Sequence, residues 1–399
     1  MARARYLVII GVVSAALLAL SFVAFRGAEA QDDPTLTPIE LLGKELFFDD
    51  GLSLNGNQSC AFCHDPAVGF TGSHSGFNAV GGVYPGSVDT LFGNRKPPSA
   101  AYAGDSPTLH YDEDEEVWVG GMFWDGRATG EHLGDPLAEQ AQGPYLNPLE
   151  QALADVADLC EIAAAAEYAP MFEEVFGEPL DCATGVDTGY ENIGRAVAAY
   201  ERSAEVNPFT SKYDYYLAGE VELTEQEAWG LDLFNDKAQC AECHISEPGP
   251  NGEPPLFTDF TYDNLGVPRN PDNPFFAMDP EVNPDADAWV DPGLGGYLKS
   301  AGFSEDVYMA EWGKVKVPTL RNVAKRPGVN VVKAYTHNGY FKSLEDLVHF
   351  YNTRDVSEWP APEIAENVNT EELGDLDLTP EEESAVVAFM KTLSDGYEP

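Results

Sequence analysis

Two short segments, "CAFCH" at residues 60–64 and "CAECH" at residues 240–244, constrain this chain more than any other feature. Each combines two cysteines, separated by two residues, with a histidine directly after the second cysteine. This is the attachment pattern of c-type haem, in which each thiol bonds a vinyl group of the porphyrin. The repeated pattern therefore predicts two covalently bound haem c groups, one at each segment.

The histidines of the two segments are the candidate iron ligands, because a proximal histidine holds the iron in many haem proteins. We therefore predict His64 and His244 as metal ligands. A zinc site built from the four thiolates is the alternative, but it gives the repeated histidine no role. The predicted cofactor-binding residues are Cys60, Cys63, Cys240 and Cys243.

The start of the chain has the pattern of a secretory signal peptide. Arg3 and Arg5 precede an apolar run over residues 7–25, and residues 28–30 (AEA) form a small-x-small cleavage site. We predict a signal peptide over residues 1–30 and export to the periplasm. The apolar run is somewhat long for a signal peptide, so an uncleaved membrane anchor is the alternative.

Two further cysteines, Cys160 and Cys182, are not followed by histidine. In an exported protein such a pair is most simply a disulfide, and a pair of free buried thiols is the alternative.

The charge of the chain excludes one class of partner. The formal net charge is −46, from 68 acidic and 22 basic residues. Such a surface repels phosphate backbones, so we expect no binding to nucleic acid. The acidic residues are spread along the chain, which is typical of a solvated globular surface. A high-salt habitat would explain the excess, because salt screens the self-repulsion.

The two haem segments are preceded by similar apolar-periodic stretches, residues 37–50 and 223–239, each containing the dipeptide Leu-Phe. The second begins with a capping box from Thr224 to Glu227. We predict a mainly α fold of two cytochrome c-like haem domains with long loops, arising from internal duplication. The predicted domains are residues 31–218 and 219–399.

Helical periodicity extends over much of the remaining chain, and two long segments rich in glycine, proline and asparagine are predicted to be loops. Ser343 and Thr379 are predicted N-caps. The predicted helical stretches are residues 147–168, 188–205, 343–355 and 379–394, and the predicted loops are residues 65–122 and 245–316.

Several blocks in a fixed order give the chain its family resemblance. They read "GKELFFDDGLSLNGNQSCAFCHDPAVGFT", "FWDGRA", "EQAQGPYLNPLEQ", "NPFTSKYDYYL", "CAECH", "KVPTLRNV" and "YTHNGYFKSLEDLVHFYN". The chain resembles the bacterial diheme cytochrome c peroxidases and their MauG-like relatives over nearly its whole mature length. The resemblance implies a peroxidatic N-terminal haem and an electron-transfer C-terminal haem.

The resemblance also implies catalytic residues. In that family a glutamine, a proline and a glutamate, spaced four and then six residues apart, line the distal face of the N-terminal haem. Gln140, Pro144 and Glu150 keep that spacing. A carboxylate beside the iron can move a proton between the two peroxide oxygens, and an amide can orient the peroxide. Trp124 resembles the family tryptophan that assists electron transfer between the haems.

The sixth ligand of the C-terminal haem is a methionine in family peroxidases and a tyrosine in MauG-like proteins. Met309 is the predicted ligand, with Tyr308 and then Met278 as alternatives. Ala238 stands where some relatives have a second tryptophan. That departure puts in doubt a long-lived oxidised state shared by both haems.

Two further departures concern activation and calcium. Many relatives have a histidine that caps the N-terminal haem, but here only His74 is a candidate, so we expect a five-coordinate iron. Lys96 replaces the asparagine of the family's calcium-binding block. The resemblance still leaves open a calcium ion between the domains, bound by carbonyls around Pro292.

These features predict an exported peroxidase. It would reduce hydrogen peroxide with electrons from a small basic or salt-adapted donor protein, a cytochrome c or a cupredoxin. The alternatives are a MauG-like enzyme that oxidises tryptophan or tyrosine side chains of a partner protein, and a non-catalytic electron carrier with two six-coordinate haems. The resemblance leaves open whether the protein is a homodimer.

Overall fold

Helices make up most of the regular structure of residues 35–399, the part of the chain that the computed structural model describes. The α-helices of this range are α1 (Pro38–Phe48), α2 (Cys60–Cys63), α3 (Ser75–Ala79), α4 (Pro136–Leu146), α5 (Val156–Ala165), α6 (Pro170–Phe176), α7 (Val186–Glu201), α8 (Lys212–Leu217), α9 (Glu225–Asn235), α10 (Gly293–Ser300), α11 (Glu305–Ala310), α12 (Leu344–Thr353) and α13 (Pro380–Lys391). The mainly α class is therefore confirmed.

Four short strands form two separate antiparallel pairs within residues 35–399. The strands are β1 (His110–Asp112), β2 (Val117–Val119), β3 (Tyr262–Asp263) and β4 (Val315–Lys316). β1 pairs with β2, where Tyr111 lies opposite Trp118, and β3 pairs with β4, where Tyr262 lies opposite Lys316. No helix among the described residues is both long and apolar enough to cross a membrane. The predicted signal peptide, residues 1–30, lies outside the described range.

Helix α1 packs very closely against α7. A β-carbon at Gly43 would lie 1.9 Å from the carbonyl oxygen of Ala196 and 2.9 Å from the β-carbon of Tyr200. Only glycine allows the two backbones to approach this far. The crossing lies in a core that contains the fully buried side chains of Phe47 and Ile193.

Helix α9 crosses α13 in the same way. A β-carbon at Gly230 would lie 1.9 Å from the carbonyl oxygen of Ala385 and 3.0 Å from the β-carbon of Phe389. This crossing lies in a second core, which contains the fully buried Phe234 and Phe350. The repeated crossing is consistent with two similar halves, while the duplication and the boundary at residue 218 stay predictions.

The helix starts that the sequence predicts are confirmed. In the capping box of α9, the backbone N–H of Thr224 donates to Glu227 Oε2 at 2.7 Å. Ser343 caps α12 by accepting from the backbone N–H of Asp346, and Thr379 caps α13. Because these caps are local, they can be recognised without knowledge of the tertiary structure.

Other predicted boundaries are wrong. The predicted helix over residues 147–168 is shortened to α5, because the Asp155 side chain accepts from the N–H groups of Ala157 and Asp158 and starts the helix there. Helix α4 was not predicted, although Asp135 and Pro136 give it an N-cap and a first-turn proline. The two predicted long loops contain α3, α10, α11 and all four strands.

A disulfide joins Cys160 in α5 to Cys182, which precedes α7. It ties two stretches that pack in the same half of the described chain as α1 and α7. A disulfide that closes a loop stabilises a fold mainly by restricting the unfolded chain.

The two glycine crossings predict a matched pair of destabilised variants. Gly43→Ala and Gly230→Ala should each lower the free energy of unfolding by about 1–3 kcal/mol, because the added methyl group forces the helices apart. The measurement is the urea unfolding midpoint of the purified holoprotein. Gly328→Ala is the control, since nothing lies within 4 Å of a β-carbon at that position. Unchanged midpoints for both crossing variants would contradict the packing.

Candidate active site

A first cavity lies beside the "CAFCH" segment. Its empty space, part of which is open to solvent, is about 950 Å³. Cys63 and His64 line it, together with the predicted distal group of Gln140, Pro144 and Glu150. The structure thus places these side chains around one internal space, although 86 positions separate His64 from Glu150 in the chain.

Helix α4 and the turn after it position the distal group. Gln140 and Pro144 lie on α4, and Glu150 lies in the turn that follows. The amide of Asn147 donates to Glu150 Oε2 at 3.0 Å. Burial raises the pKa of Glu150, while the nearby positive charge of Arg127 and the Asn147 hydrogen bond act in the opposite direction. Burial and the neighbouring groups therefore act in opposite directions on this carboxyl.

A second cavity, of about 1550 Å³, lies beside the "CAECH" segment, and Cys240, Cys243 and His244 line it. Trp124 lines both cavities and is 6% exposed. Its side chain therefore lies between the two histidine segments, where the sequence predicts an electron-transfer residue.

Each cavity histidine is held by a backbone carbonyl group. Nδ1 of His64 donates to the carbonyl oxygen of Phe70 at 3.1 Å, and Nδ1 of His244 donates to that of Phe257 at 2.8 Å. A carbonyl oxygen can only accept, so Nδ1 carries the proton and the Nε2 lone pair is left to bind a metal. Burial lowers the pKa of His64 to about 4, which keeps the ring neutral.

Sequence reasoning missed the two phenylalanines that supply these carbonyls. Both have positive φ, 55° at Phe70 and 55° at Phe257, a conformation that is uncommon for a bulky residue. The next residue is threonine in both cases, and each hydroxyl donates to a backbone carbonyl at 2.7 Å, Thr71 to Pro97 and Thr258 to Val317. The repeated dipeptide Phe-Thr after each histidine was the signal available in the sequence.

Known proteins resemble the chain over most of its length. A family model described as di-haem cytochrome c peroxidase matches residues 38–222. The methylamine utilization protein MauG of Paracoccus denitrificans is 34% identical over 94% of this chain and 93% of its own. The chain belongs to the diheme cytochrome c peroxidase and MauG-like family. This membership confirms the family resemblance and implies haem c cofactors.

Two other relatives fall within the same family. The cytochrome-c peroxidase IdrP1 of Denitromonas iodatirespirans is 28% identical over 91% of this chain and 83% of its own. The crystal structure of the diheme peroxidase BthA from Burkholderia thailandensis has a TM-score of 0.74 and 30% identity, and the match covers 90% of this chain and 87% of that one. The relatives include both peroxidases and MauG proteins, so the family membership supports an oxidoreductase of this type.

Buried lysines fit the carboxylates that haem groups of this family carry. Lys96 and Lys316 both line the second cavity, and burial lowers the pKa of each to about 7. Each ammonium group donates to two protein oxygens, which leaves its third N–H without a partner among the described residues. A carboxylate-bearing cofactor would supply an acceptor for that N–H and would favour the charged form of each lysine. The cavities thus fit the haem groups of a diheme cytochrome.

The predicted ligand Met309 does not reach the second cavity. It lies on α11, is 37% exposed, and is not among the residues that line the space beside His244. Tyr308 contacts the Trp312 ring on the same side of the molecule, and Met278 follows a 3₁₀ turn outside the cavity. Nearness along the chain to the "KVPTLRNV" block does not by itself place α11 over the cavity, and the identity of the sixth ligand stays a prediction.

Other side chains able to bind iron do line the second cavity. They are Tyr335, Tyr351, His337 and Met390. Of these, Tyr335 and Met390 offer the two ligand types that occur in the family. His74, the candidate cap of the first haem, is exposed, stacks on Phe77 and does not line the first cavity.

Arg95 lies next to Lys96, in the sequence block that binds calcium in the family. Arg95 Nη1 is 2.6 Å from Asp125 Oδ2, and Arg95 Nη2 is 2.6 Å from Asp291 Oδ1. The carbonyl oxygen of Pro292 already accepts the N–H groups of Gly296 and Gly313. No cluster of three or more metal-ligating side chains occurs within residues 35–399. The guanidinium group thus supplies positive charge between the two carboxylates.

Calcium removal should therefore leave this family member unchanged. Incubation of the holoprotein with a calcium chelator should alter neither the haem absorption spectrum nor the thermal unfolding midpoint. Arg95→Met is the comparison. It leaves Asp125 and Asp291 without their counter-ion, so it should lower the free energy of unfolding by about 3–5 kcal/mol. A chelator-induced drop in the unfolding midpoint would show that calcium binds despite the arginine.

Proposed function

We propose that the protein is a diheme peroxidase that reduces hydrogen peroxide to water at the first cavity. The observation that carries the proposal is the convergence of His64, Gln140, Pro144 and Glu150 on that cavity. The second cavity would accept electrons from a small donor protein, and a net charge of −46 favours a donor with a basic contact surface. The disulfide between Cys160 and Cys182 supports export to an oxidising compartment.

The two cysteine pairs and their histidines would hold the cofactors. Cys60 and Cys63 would bond one haem, with His64 as its iron ligand. The other haem would be held in the same way by the residues of the second segment, Cys240, Cys243 and His244. When bound, the haem irons supply one-electron redox chemistry and a coordination position for peroxide. The hydrogen bonds to Phe70 and Phe257 would hold the histidine rings in orientation.

Glu150 would act as the acid and base of the peroxide reaction. Its carboxylate can take the proton of the inner peroxide oxygen and return it to the outer oxygen, which leaves as water. The amide of Asn147 fixes the carboxyl group at 3.0 Å, and the charge of Arg127 favours its ionised form. Gln140 lines the same space and would orient the peroxide.

Trp124 would connect the two sites. Its indole N–H donates to the carbonyl oxygen of Lys96 at 2.8 Å, and its own carbonyl accepts the backbone N–H of Lys316 at 2.9 Å. The ring is thereby fixed between the cavities by both the side chain and the backbone. This position supports electron transfer from the second site to the first.

A second candidate function is oxidation of tryptophan or tyrosine side chains of a partner protein. The 34% identity to a MauG protein and the presence of Tyr335 in the second cavity favour it. Ala238, which lines that cavity where some relatives have tryptophan, favours peroxide reduction. The two functions differ in the electron donor. A peroxidase takes its electrons from a reduced cytochrome or cupredoxin, whereas the second function takes them from side chains of the partner protein.

Glu150→Gln should lower kcat/KM for hydrogen peroxide by about 10²–10⁴-fold, because glutamine cannot accept the proton. Steady-state oxidation of a reduced small cytochrome measures this, with haem content checked by absorption. Glu161→Gln, on the exposed face of α5, is the control and should behave as the wild type. A Glu150→Gln enzyme with full activity and both haems bound would disprove the assigned role.

Met309→Leu should leave the absorption spectrum and reduction potential of the second haem unchanged, because Met309 lies outside the cavity. Met390→Leu and Tyr335→Phe are the informative comparisons. Loss of a methionine-to-iron band in the Met390 variant would identify thioether ligation, and an altered low-spin signal in the Tyr335 variant would identify phenolate ligation. A spectral change in Met309→Leu would instead require α11 to move onto the haem.

A further inference from the structure

A second buried carboxyl lines the first cavity. Glu201 is the last residue of α7 and is 4% exposed. Its Oε2 atom has no hydrogen-bond partner among the described residues. Glu150 and Glu201 are the acidic side chains among the residues that line this space. An unpaired buried carboxyl is costly to maintain, so its presence in a cavity points to a ligand, a water molecule or a proton held there.

The residue that follows Glu201 reaches the surface. The adjacent Arg202 forms an ion pair with Asp135 at 2.6 Å, and both partners are partly exposed. Burial raises the pKa of Glu201 to about 8, with a further increase from the charge of Asp135 and an opposing effect from Arg202. The carboxyl group is thus mainly protonated at neutral pH, between the cavity on one side and a solvated ion pair on the other.

The elements packed around Glu201 bring two more titratable groups close to it. Cys60 of α2 and Tyr145 of α4 both interact electrostatically with Glu201. Cys60 is the residue that would bond the first haem. The hydroxyl of Tyr145 is fully buried and also lacks a hydrogen-bond partner within the described chain. The unpaired groups of Glu201 and Tyr145 therefore lie within electrostatic range of each other, and of the two Glu201 lines the cavity.

The stoichiometry of the proposed reaction requires a proton donor besides Glu150. Reduction of one hydrogen peroxide molecule consumes two electrons and two protons and yields two water molecules. The transfer by Glu150 only moves a proton from one peroxide oxygen to the other, so it consumes none. Both consumed protons must enter a buried cavity from solvent, and a protonated side chain on the route can deliver them.

We propose that Glu201 is the proton donor that supplies the first cavity from solvent on the side of Arg202 and Asp135. The inference rests on the proposed peroxidase function. In each delivery, Glu201 gives its proton toward the cavity and is protonated again from the solvent side. Glu150 therefore transfers a proton between the two peroxide oxygens, and Glu201 supplies protons to the cavity from solvent.

Infrared difference spectroscopy of the ferric holoprotein in H₂O and D₂O tests the protonation state without turnover. The carbonyl stretch of a protonated buried carboxyl should be present in the wild type and in Glu201→Asp, and absent in Glu201→Gln. Glu205→Gln is the control, since that carboxyl lies four residues further on and pairs with Lys44. A band that survives in Glu201→Gln would refute the proposal.

Peroxide turnover then tests the proton delivery. Glu201→Gln should bind both haems, lower kcat by about 100-fold and raise the solvent isotope effect, because proton entry becomes rate-limiting. Glu201→Asp should retain most of the activity. Wild-type turnover in the Gln variant would refute the role of Glu201 alone, whereas absence of peroxide turnover in the wild type would refute the proposed function itself.

Discussion

The hydrogen bond between each cavity histidine and a phenylalanine carbonyl is the interaction on which both sites depend. Phe70 and Phe257 have the same positive φ of 55°, a conformation that costs on the order of 1–3 kcal/mol for a non-glycine residue. The cost is tolerable because both side chains pack in buried cores. The strained backbone fixes the direction of the phenylalanine carbonyl. That carbonyl accepts the Nδ1 proton and so fixes the imidazole tautomer, which leaves Nε2 free to bind a metal. Local backbone geometry thus determines the chemistry of each cavity.

Positively charged side chains line both cavities of this acidic protein. Lys96 and Lys316 each precede a residue whose carbonyl accepts a threonine hydroxyl, Pro97 or Val317. Both lysines bond to Trp124 through backbone groups. Arg95 adds a third buried cation with two carboxylate partners. Burial lowers the pKa of both lysines, and an anion within the cavities would favour their charged form. A cofactor with carboxylate groups would supply that anion, which would couple cofactor binding to the stability of the region between the sites.

Sequence reasoning succeeded where the signal is local and failed where it depends on packing. The caps at Thr224 and Thr379 can be read from adjacent residues and are confirmed. The two cysteine-histidine segments are equally local signals, and haem attachment to them stays a prediction. The distal group was found only through a family resemblance, because no spacing rule brings Glu150 to His64 across the fold. The position of Met309 outside the second cavity could not be predicted for the same reason, since the path of α11 depends on how α10 and α11 pack. Glu201 had no sequence signal, because a helix-terminal "YER" looks like an ordinary solvated helix end.

Neighbouring charges act differently on the two carboxyls of the first cavity, Glu150 and Glu201, and can make one of them a base and the other an acid. Burial raises the pKa of both, but Arg127 and the Asn147 hydrogen bond oppose the effect at Glu150. At Glu201 the charge of Asp135 adds to the effect of burial, and Arg202 alone opposes it. Glu150 is therefore the group that ionises more readily and can accept a proton, and Glu201 is the group that retains one. Environments that separate the pKa values of two like residues are a general basis for assigning acid and base roles. The group that retains the proton is the more deeply buried of the two, since Glu201 is 4% exposed and Glu150 is partly exposed.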